Sequence, residues 1–430
     1  MRQWKRYPKY KDSGVEWLGE IPEGWGVKRI KLASPIINEK IDLVNQNFQY
    51  IALENIESWT GRFKESNSEI QPESLVNIFC KNNVLFGKLR PYLAKVYHTS
   101  NNGVCSSEFF VLKPKDITPN YLFEYLLNRE FIDIINSSTY GAKMPRANWD
   151  FFGDQLISIP PLPEQTAIAS FLDRKTARID ILIEKKQRQI ELLQEKRAAL
   201  ISQAVTKGLD PTVPMKDSGV PWLGEVPEHW EINPLKLISS IIPGQSPHES
   251  TYNLDGTGAI LINGPAEYSE DDFGQTRALK WTTDPKKWAP KNCLLFCLRG
   301  STTGRLNISH SKVSIGRGVA AIVAKESQQY INNCFISARN YLLGTANGST
   351  FPSITSELLE NLQFPLPPEK EQVDICNYLF KQKEIIDSIN LKLNLSIETL
   401  KKYRSALISA AVTGKIDVRE TIPTHQEAQS

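Results

Sequence analysis

Apolar residues return at every seventh position along two long stretches of this chain. In the later stretch Leu379, Ile386, Leu393, Leu400 and Leu407 are so spaced; in the earlier one Leu172, Ile179, Leu193 and Leu200 hold the corresponding places, with Lys186 interrupting. A sustained seven-residue apolar spacing with charges between is a coiled-coil pattern. The earlier stretch opens at PPLPEQ (160–165), where Pro163 suits an early helical position because its missing N–H has no helical partner there. It runs to about Thr206 and stops at Lys207–Gly208, where glycine suits a C-terminal cap. The later one opens at PLPPEKEQ (365–372) and stops near Thr413–Gly414. Each predicts a helix of about 40 residues, roughly 60 Å if continuous. Two surface helices packed on separate domains are the plainer alternative. A solvated helix of this length needs a partner along it, so the expectation is that the two pair with each other. Lys186 is expected at the solvent edge of the seam, its stem packing.

Outside the helices the pattern shortens. NNVLFGKLRPYLAKVYH (82–98) and GVCSSEFFVLKPK (103–115) predict β-strands separated by turn residues, and PNYLFEYLLNREFIDIINSS (119–138) has helical periodicity. KNCLLFCLRGSTTGRLN (291–307), SIGRGVAAIVAK (314–325) and NCFISARNYLLGT (333–345) follow in the same order. Gly141 and Gly348, like Pro145 and Pro352, close these segments at matching places.

The chain is therefore a tandem duplication. DSGVEWLGEIPEGW (12–25) and DSGVPWLGEVPEHW (217–230) share eleven of fourteen residues, and RAALISQAVT (197–206) and RSALISAAVT (404–413) share eight of ten. Between the matched blocks the halves differ. The like parts are expected to do one job twice, and the unlike parts two different jobs of one kind. Trp17 and Trp222, repeated in the first block, are expected to pack rather than to stack on a ligand. If the helices pair antiparallel, a domain lies at each end of a rod with an approximate two-fold axis. Two similar surfaces at a fixed spacing are what a reader of two DNA half-sites needs, about 34 Å or a multiple apart.

Composition narrows this only a little. A chain of 430 residues with 40% hydrophobic and 23% charged residues is globular and long enough for two to three domains. No apolar run reaches the roughly 18 residues of a spanning helix, and no apolar segment follows the basic start, so neither a membrane span nor a secretory signal is expected. Six cysteines scattered at 80, 105, 293, 297, 334 and 376 form no disulfide framework and suit a reducing cytoplasm. A net charge of +3 requires any nucleic-acid surface to gather its positive charge locally.

Enzyme motifs are absent. There is no Asn/Asp-Pro-Pro-Tyr/Phe motif, no Pro-Asp…Glu-x-Lys cluster, and GSTTGR (300–305) has the wrong spacing for a phosphate loop and lacks its lysine. Cys293 and Cys297 have no second ligand pair nearby and read as small hydrophobes on a buried strand. Candidate DNA contacts come from glycine- and arginine-bearing turns: Lys88, Arg90 and Tyr92 in GKLRPY, Lys143 and Arg146 in GAKMPRAN, Arg299, Ser301, Thr303 and Arg305 in LRGSTTGR, and Arg317 in IGRG. Glycine lets the backbone approach the duplex, and arginine can clamp phosphate or read guanine with two hydrogen bonds. Any one of them can equally be a solvated turn residue.

The KDSGV-WLGE-P--W opening, the PPLPEQ helix entry, the R-ALIS-AVT helix end and the two-fold repetition resemble the specificity (S) subunit of type I restriction–modification systems, over about residues 9–420. The resemblance implies an α+β fold: two globular mixed α/β target recognition domains separated by two long antiparallel helices in a coiled coil. The corresponding boundaries are 1–159 and 209–364 for the recognition domains, 160–208 and 365–420 for the helical regions, and 421–430 for a polar tail. It implies a non-catalytic subunit without cofactor that binds double-stranded DNA. It further implies partnership with two modification (methyltransferase) and two restriction (translocase and endonuclease) subunits. S-adenosylmethionine, ATP and Mg2+ would belong to those partners, and the assembly would be an adenine-N6 methyltransferase and ATP-dependent endonuclease. A helical adaptor whose variable domains bind proteins is the alternative from another class.

Overall fold

A computed structural model describes residues 4–42, 49–65, 75–141, 143–272, 274–300, 302–345 and 353–419. Ser301, Gly348, Pro352 and the 421–430 tail lie outside the described residues. The two heptad stretches form helices Leu162–Lys207 and Glu369–Val412. Both stop at a glycine in the left-handed region, Gly208 at φ +75° and Gly414 at φ +74°, a conformation that carries no Cβ penalty only for glycine. The chain divides into two compact units, residues 1–187 with 394–430, and residues 188–393. Each border falls within a long helix, so each unit holds the start of one helix and the end of the other.

The repeated DSGV-WLGE-P-W block is a hairpin in both units, Tyr10–Asp12 with Glu20–Pro22 and Met215–Asp217 with Glu225–Pro227. Its invariant letters have local reasons. Asp12 and Asp217 accept from the N–H of Gly14 and Gly219. Gly14, Gly19, Gly219 and Gly224 all have φ between +62° and +71°. The block's proline and second tryptophan then pack on a helix end: Pro22 and Trp25 lie against Gly414, and Pro227 and Trp230 against Gly208. A side chain at either glycine would meet these rings.

The variable segments share one sheet plan. In the first unit the strand order is Ile36–Ile37, Phe109–Leu112, Val84–Gly87, Val96–His98; in the second it is Ser239–Pro243, Val319–Ala324, Leu294–Cys297, Leu306–Ile308. The central strands are apolar throughout because both faces are covered. Val84, Phe86, Phe110 and Leu112 enter the main core, and Leu85, Phe109 and Val111 a smaller one behind the sheet. Leu294, Phe296, Ala320 and Ile322 repeat the first set, and Cys293, Leu295, Cys297 and Val319 the second. Cys293 and Cys297 are thus small hydrophobes on the rear face, as the strand alternation requires. Strand Gly26–Arg29 zips onto Leu156–Ile159, and Glu231–Pro234 onto Gln363–Leu366. Each variable segment therefore enters and leaves at one place.

The helix expected over 119–138 is two helices, Pro119–Leu126 and Arg129–Ser137, because the Asn128 side chain accepts from the Glu130 N–H and starts a new one. The second unit has one uninterrupted helix, Gln328–Gly344, capped by Ser327. Tyr121 donates to the carbonyl of Val412, and Tyr330 to that of Val205, so each helix is pinned to the last turn of a long helix.

Within each unit the long helices pair antiparallel. In the first, Leu172 and Ile179 share a core with Leu407, and Leu400 packs on its edge. In the second, Leu379 is in the core, Ile386 is buried and Leu200 lies at the core edge. Leu193, Leu393 and the interrupting Lys186 are half-buried. Arg404 donates to Asp180 at 3.0 Å, and Arg197 faces Asp387 at 3.8 Å. From Asp180 to Arg197 the first helix advances as many residues as the second retreats from Arg404 to Asp387.

Near this pair Glu124 is wholly buried and its Oε2 has no hydrogen-bond partner among the described residues. Burial pushes its carboxyl up to about 8, against the pull of the nearby Arg404 guanidinium. The Tyr121/Tyr330 equivalence places Asn333 at the same point of the second unit. A carboxyl whose folded pKa lies above its ordinary 4.5 favours folding most below pH 4.5 and loses that contribution as pH rises toward 8. Glu124→Gln is therefore expected to stabilise the first unit by roughly 1–3 kcal/mol at pH 8 and by little at pH 5. Denaturant unfolding at the two pH values measures this, and equal effects at both would refute the burial argument.

Candidate nucleic-acid interface

In the first unit the predicted contacts converge on one end of the four-stranded sheet. Strand Val84–Gly87 runs into Lys88, whose N–H donates to the Glu108 carbonyl at 2.8 Å. Arg90 follows in the left-handed region at φ +51° and donates its N–H to the Pro145 carbonyl at 2.7 Å. Pro91–Leu93 then forms a 3-10 turn that leaves Tyr92 exposed. The 140–147 segment is strapped onto this end by paired backbone contacts of Arg146 with Leu89 and Tyr140, and by Ala147 N–H on the Lys88 carbonyl. Gly141, at φ +90°, makes the turn. Lys88, Arg90, Tyr92, Lys143 and Arg146 are thereby brought together, beside the exposed side chains of Tyr140 and Met144. Basic groups interleaved with exposed rings are the surface that nucleic acids take.

Glu108 organises the charges. Arg146 donates through Nε and Nη2 to both oxygens of Glu108, at 3.0 to 3.3 Å. This holds the guanidinium pKa above its ordinary value. Lys88 is half-buried with its Nζ 5.5 Å from the Phe110 ring centre. Burial lowers its ammonium pKa, and Glu108 opposes the shift. Sequence reasoning passed over Glu108, Tyr140 and Met144. Tyr140, adjacent to Gly141, had a local signal; Glu108 meets Arg146 across 38 residues and had none.

The second unit builds the same backbone with other side chains. Arg299 pairs with Ser353, Ile354 N–H donates to the Leu298 carbonyl, and Leu298 N–H donates to that of Gly318. This register matches Lys88 with Leu298, Arg90 with Gly300, Glu108 with Gly318 and Arg146 with Ser353. Gly300 is left-handed too, at φ +97°. Arg299 is exposed. Thr303 is buried with its hydroxyl on the Gly300 carbonyl, and Arg305 donates to the Ser269 carbonyl while lying 6.0 Å from the Tyr268 ring centre. These two shape the turn that carries Arg299. Arg317 stands exposed between Gly316 and Gly318 on a braced loop. The Ser246 hydroxyl accepts its N–H, and a Cβ on Gly316 would fall 1.9 Å from Asn263 Oδ1.

Trp17 is half-buried against Tyr125 and Phe131, and Trp222 against Phe364, as expected of packing residues. Among the described residues there is no group of three or more His, Cys, Asp or Glu side chains suited to a metal ion. No described helix is long and apolar enough to cross a membrane.

Two α/β units on shared helices, each with its own surface at the same sheet end, define a duplicated recognition protein. The family described as type I restriction modification DNA specificity domain matches residues 22–192 and again 227–399. The chain belongs to that family. It is 33% identical over 273 residues to the putative type I restriction enzyme MjaX specificity subunit of Methanocaldococcus jannaschii, covering 61% of this chain and 60% of that one. With the type I restriction enzyme EcoDI specificity subunit of Escherichia coli it shares 27% over 168 residues, 38% of each chain. The match therefore spans less than two thirds of either relative. To the MjaVIII specificity subunit of M. jannaschii it is 25% identical over 434 residues, 93% of this chain and 94% of that one. The fold matches a chain from a structure on complex assembly and conformational transition of the type I R-M system, with a TM-score of 0.74 at 22% identity over 91% of this chain and 98% of that one. It also matches the HsdS subunit from Thermoanaerobacter tengcongensis, with a TM-score of 0.52 at 22% identity over 92% and 98%.

Arg90 occupies a left-handed position that its counterpart gives to glycine, and an L-residue there costs about 1 kcal/mol. Arg90→Gly is expected to raise the unfolding free energy by about 0.5–1 kcal/mol while weakening binding to DNA. Thermal unfolding and a mobility-shift titration of the same variant measure the two. A variant that loses stability and keeps its affinity would make Arg90 a residue of the turn alone.

Proposed function

We propose that this protein is the sequence-reading subunit of a type I restriction–modification complex in the cytoplasm. Each variable domain reads one half of a bipartite, asymmetric site in double-stranded DNA, and the long helices set the spacer and dock two modification subunits. The observation that carries the reading is the sheet-end surface. One backbone framework appears in both units, with Lys88, Arg90 and Arg146 on it in the first and Leu298, Gly300 and Ser353 in the second. A duplicated frame with unlike side chains fits two unlike half-sites. Lys88, Arg90, Tyr92, Lys143 and Arg146 are the contacts assigned to the first domain, and Arg299 and Arg317 to the second. Phosphate contacts supply most of the affinity and base contacts the choice of sequence.

Docking of protein partners is supported by apolar side chains left exposed along the helices, Ile181, Leu182 and Leu192 on the first and Ile385, Ile389, Leu391 and Leu395 on the second. On the second helix Ile385 with Ile389 and Leu391 with Leu395 stand four residues apart, a spacing that brings each pair together on the helix surface. The subunit carries no catalytic centre or cofactor of its own in this reading. S-adenosylmethionine serves the modification subunits, which methylate adenine N6, and ATP with Mg2+ serves two restriction subunits, which translocate and cleave.

The chain reconstituted with its modification subunits is expected to bind one bipartite sequence at least 10³-fold more tightly than unrelated duplex, with affinity falling steeply as salt rises. Mobility-shift titrations at several salt concentrations, with sequencing of the methylated bases, measure both. Methylation without a bipartite motif, or salt-insensitive binding, would defeat the proposal and favour a protein-binding adaptor.

A further inference from the structure

Arg146 is held more rigidly than a phosphate clamp requires. Its Nε and Nη2 lie against Glu108, 3.0 to 3.3 Å from the two carboxylate oxygens. Its backbone is fixed by paired contacts with Leu89 and Tyr140. Among the described residues Nη1 takes no hydrogen bond, and the side chain is 39% exposed. The open edge of the guanidinium therefore presents two parallel N–H groups, on Nη1 and Nη2, in a fixed plane. A phosphate is satisfied by a mobile positive charge, whereas the paired acceptors O6 and N7 of guanine select a fixed fork of donors.

The duplication indicates what the pair is not for. Where the first unit has Glu108 and Arg146, the second has Gly318 and Ser353, and the backbone hydrogen bond from residue 88 to 108 recurs from 298 to 318. The frame closes without the ion pair. The pair is also confined to the surface that differs between the halves.

We infer that Arg146 reads a guanine in the half-site of the first domain, with Glu108 as the positioning residue that fixes its plane. This rests on the DNA-recognition reading above. The second domain has no equivalent pair, so the two half-sites are read by different devices.

The test uses the full chain with its modification subunits and maps the methylated motif for the parent, Arg146→Gln and the isosteric Glu108→Gln. The parent is expected to require a guanine in one half-site. Both variants are expected to relax that single position by at least about tenfold, leaving the other half-site intact. Glutamine at 146 is further expected to favour adenine there, since its amide matches adenine N6 and N7. Glu108→Gln decides alone if Arg146→Gln does not fold. A uniform loss of affinity across sequences, with the salt slope reduced by about one, would make Arg146 a phosphate clamp and overturn the inference. So would an unchanged motif, or a parent motif whose affected half-site has no guanine. A parent complex with no bipartite motif fails the recognition reading itself, a separate outcome.

Discussion

The Asp–Arg cross-link between the long helices is the constraint on which the rest of each unit depends. In the first unit Arg404 is almost fully buried and bonds both Asp180 on the opposite helix and the Trp59 carbonyl of the variable domain. The remaining oxygen of Asp180 accepts from Arg62 of that domain, which also reaches Glu184. One ionic cluster thus fixes the helix register and seats the variable domain on the helices. In the second unit Arg197 lies between Asp387 of the opposite helix and Asp271 of the variable domain, at 3.8 and 3.9 Å. A buried ion pair gives little net stability against an apolar replacement, but losing one partner leaves a charge uncompensated, at a cost of about 3–5 kcal/mol. Such a pair acts on register more than on total stability. Arg197 and Arg404 open the two R-ALIS-AVT blocks, so the near identity of those blocks has a mechanical reason. The same arginine stands at both junctions of helix and domain, hydrogen-bonded at 3.0 Å and buried in the first unit, and in the second with carboxylates at 3.8 and 3.9 Å.

The variable domains meet that fixed junction with opposite chemistry. The first offers a backbone carbonyl and the cation of Arg62; the second offers the carboxylate of Asp271. Unlike segments can therefore be seated on like helices, provided that each supplies acceptors for the arginine. The zipped strands at the entry and exit of each variable segment work to the same end. They confine divergence to the residues between them.

What was legible in the sequence was local or periodic. The heptads, the glycine stops at 208 and 414, the hairpin glycines and the apolar central strands each rest on neighbours within one or two turns of chain. The break at Asn128 escaped because both flanking segments keep an apolar face, and only the cap divides them. The residues of the candidate interface were half legible. Glycine beside arginine marked turns, and in the first unit the five candidates lie on adjoining turns at one end of the sheet. In the second unit the same pattern could not tell an arginine turned outward, Arg317, from one turned onto a ring and a carbonyl, Arg305. That distinction, like the pairing of Glu108 with Arg146, depends on segments far apart in the chain.

Divergence at the candidate interface is possible because that surface is framed by backbone. The N–H of residue 88 or 298, the carbonyl of 108 or 318, and the strap at 146–147 or 353–354 bond through main-chain atoms that every residue but proline carries complete. Side chains at these positions can change from lysine to leucine or from arginine to serine without costing a ladder hydrogen bond. The rear faces of the same strands have no such freedom, since each side chain there fills a closed core and volume changes are felt directly. The sheet separates the two demands by its own alternation. Residues pointing into the cores remain apolar in both halves, and those at the sheet end vary. Arg90 shows the limit of that freedom, since its left-handed backbone fits glycine better. An arginine there carries a backbone cost of about 1 kcal/mol that the glycine at the matching place in the second unit, Gly300, does not.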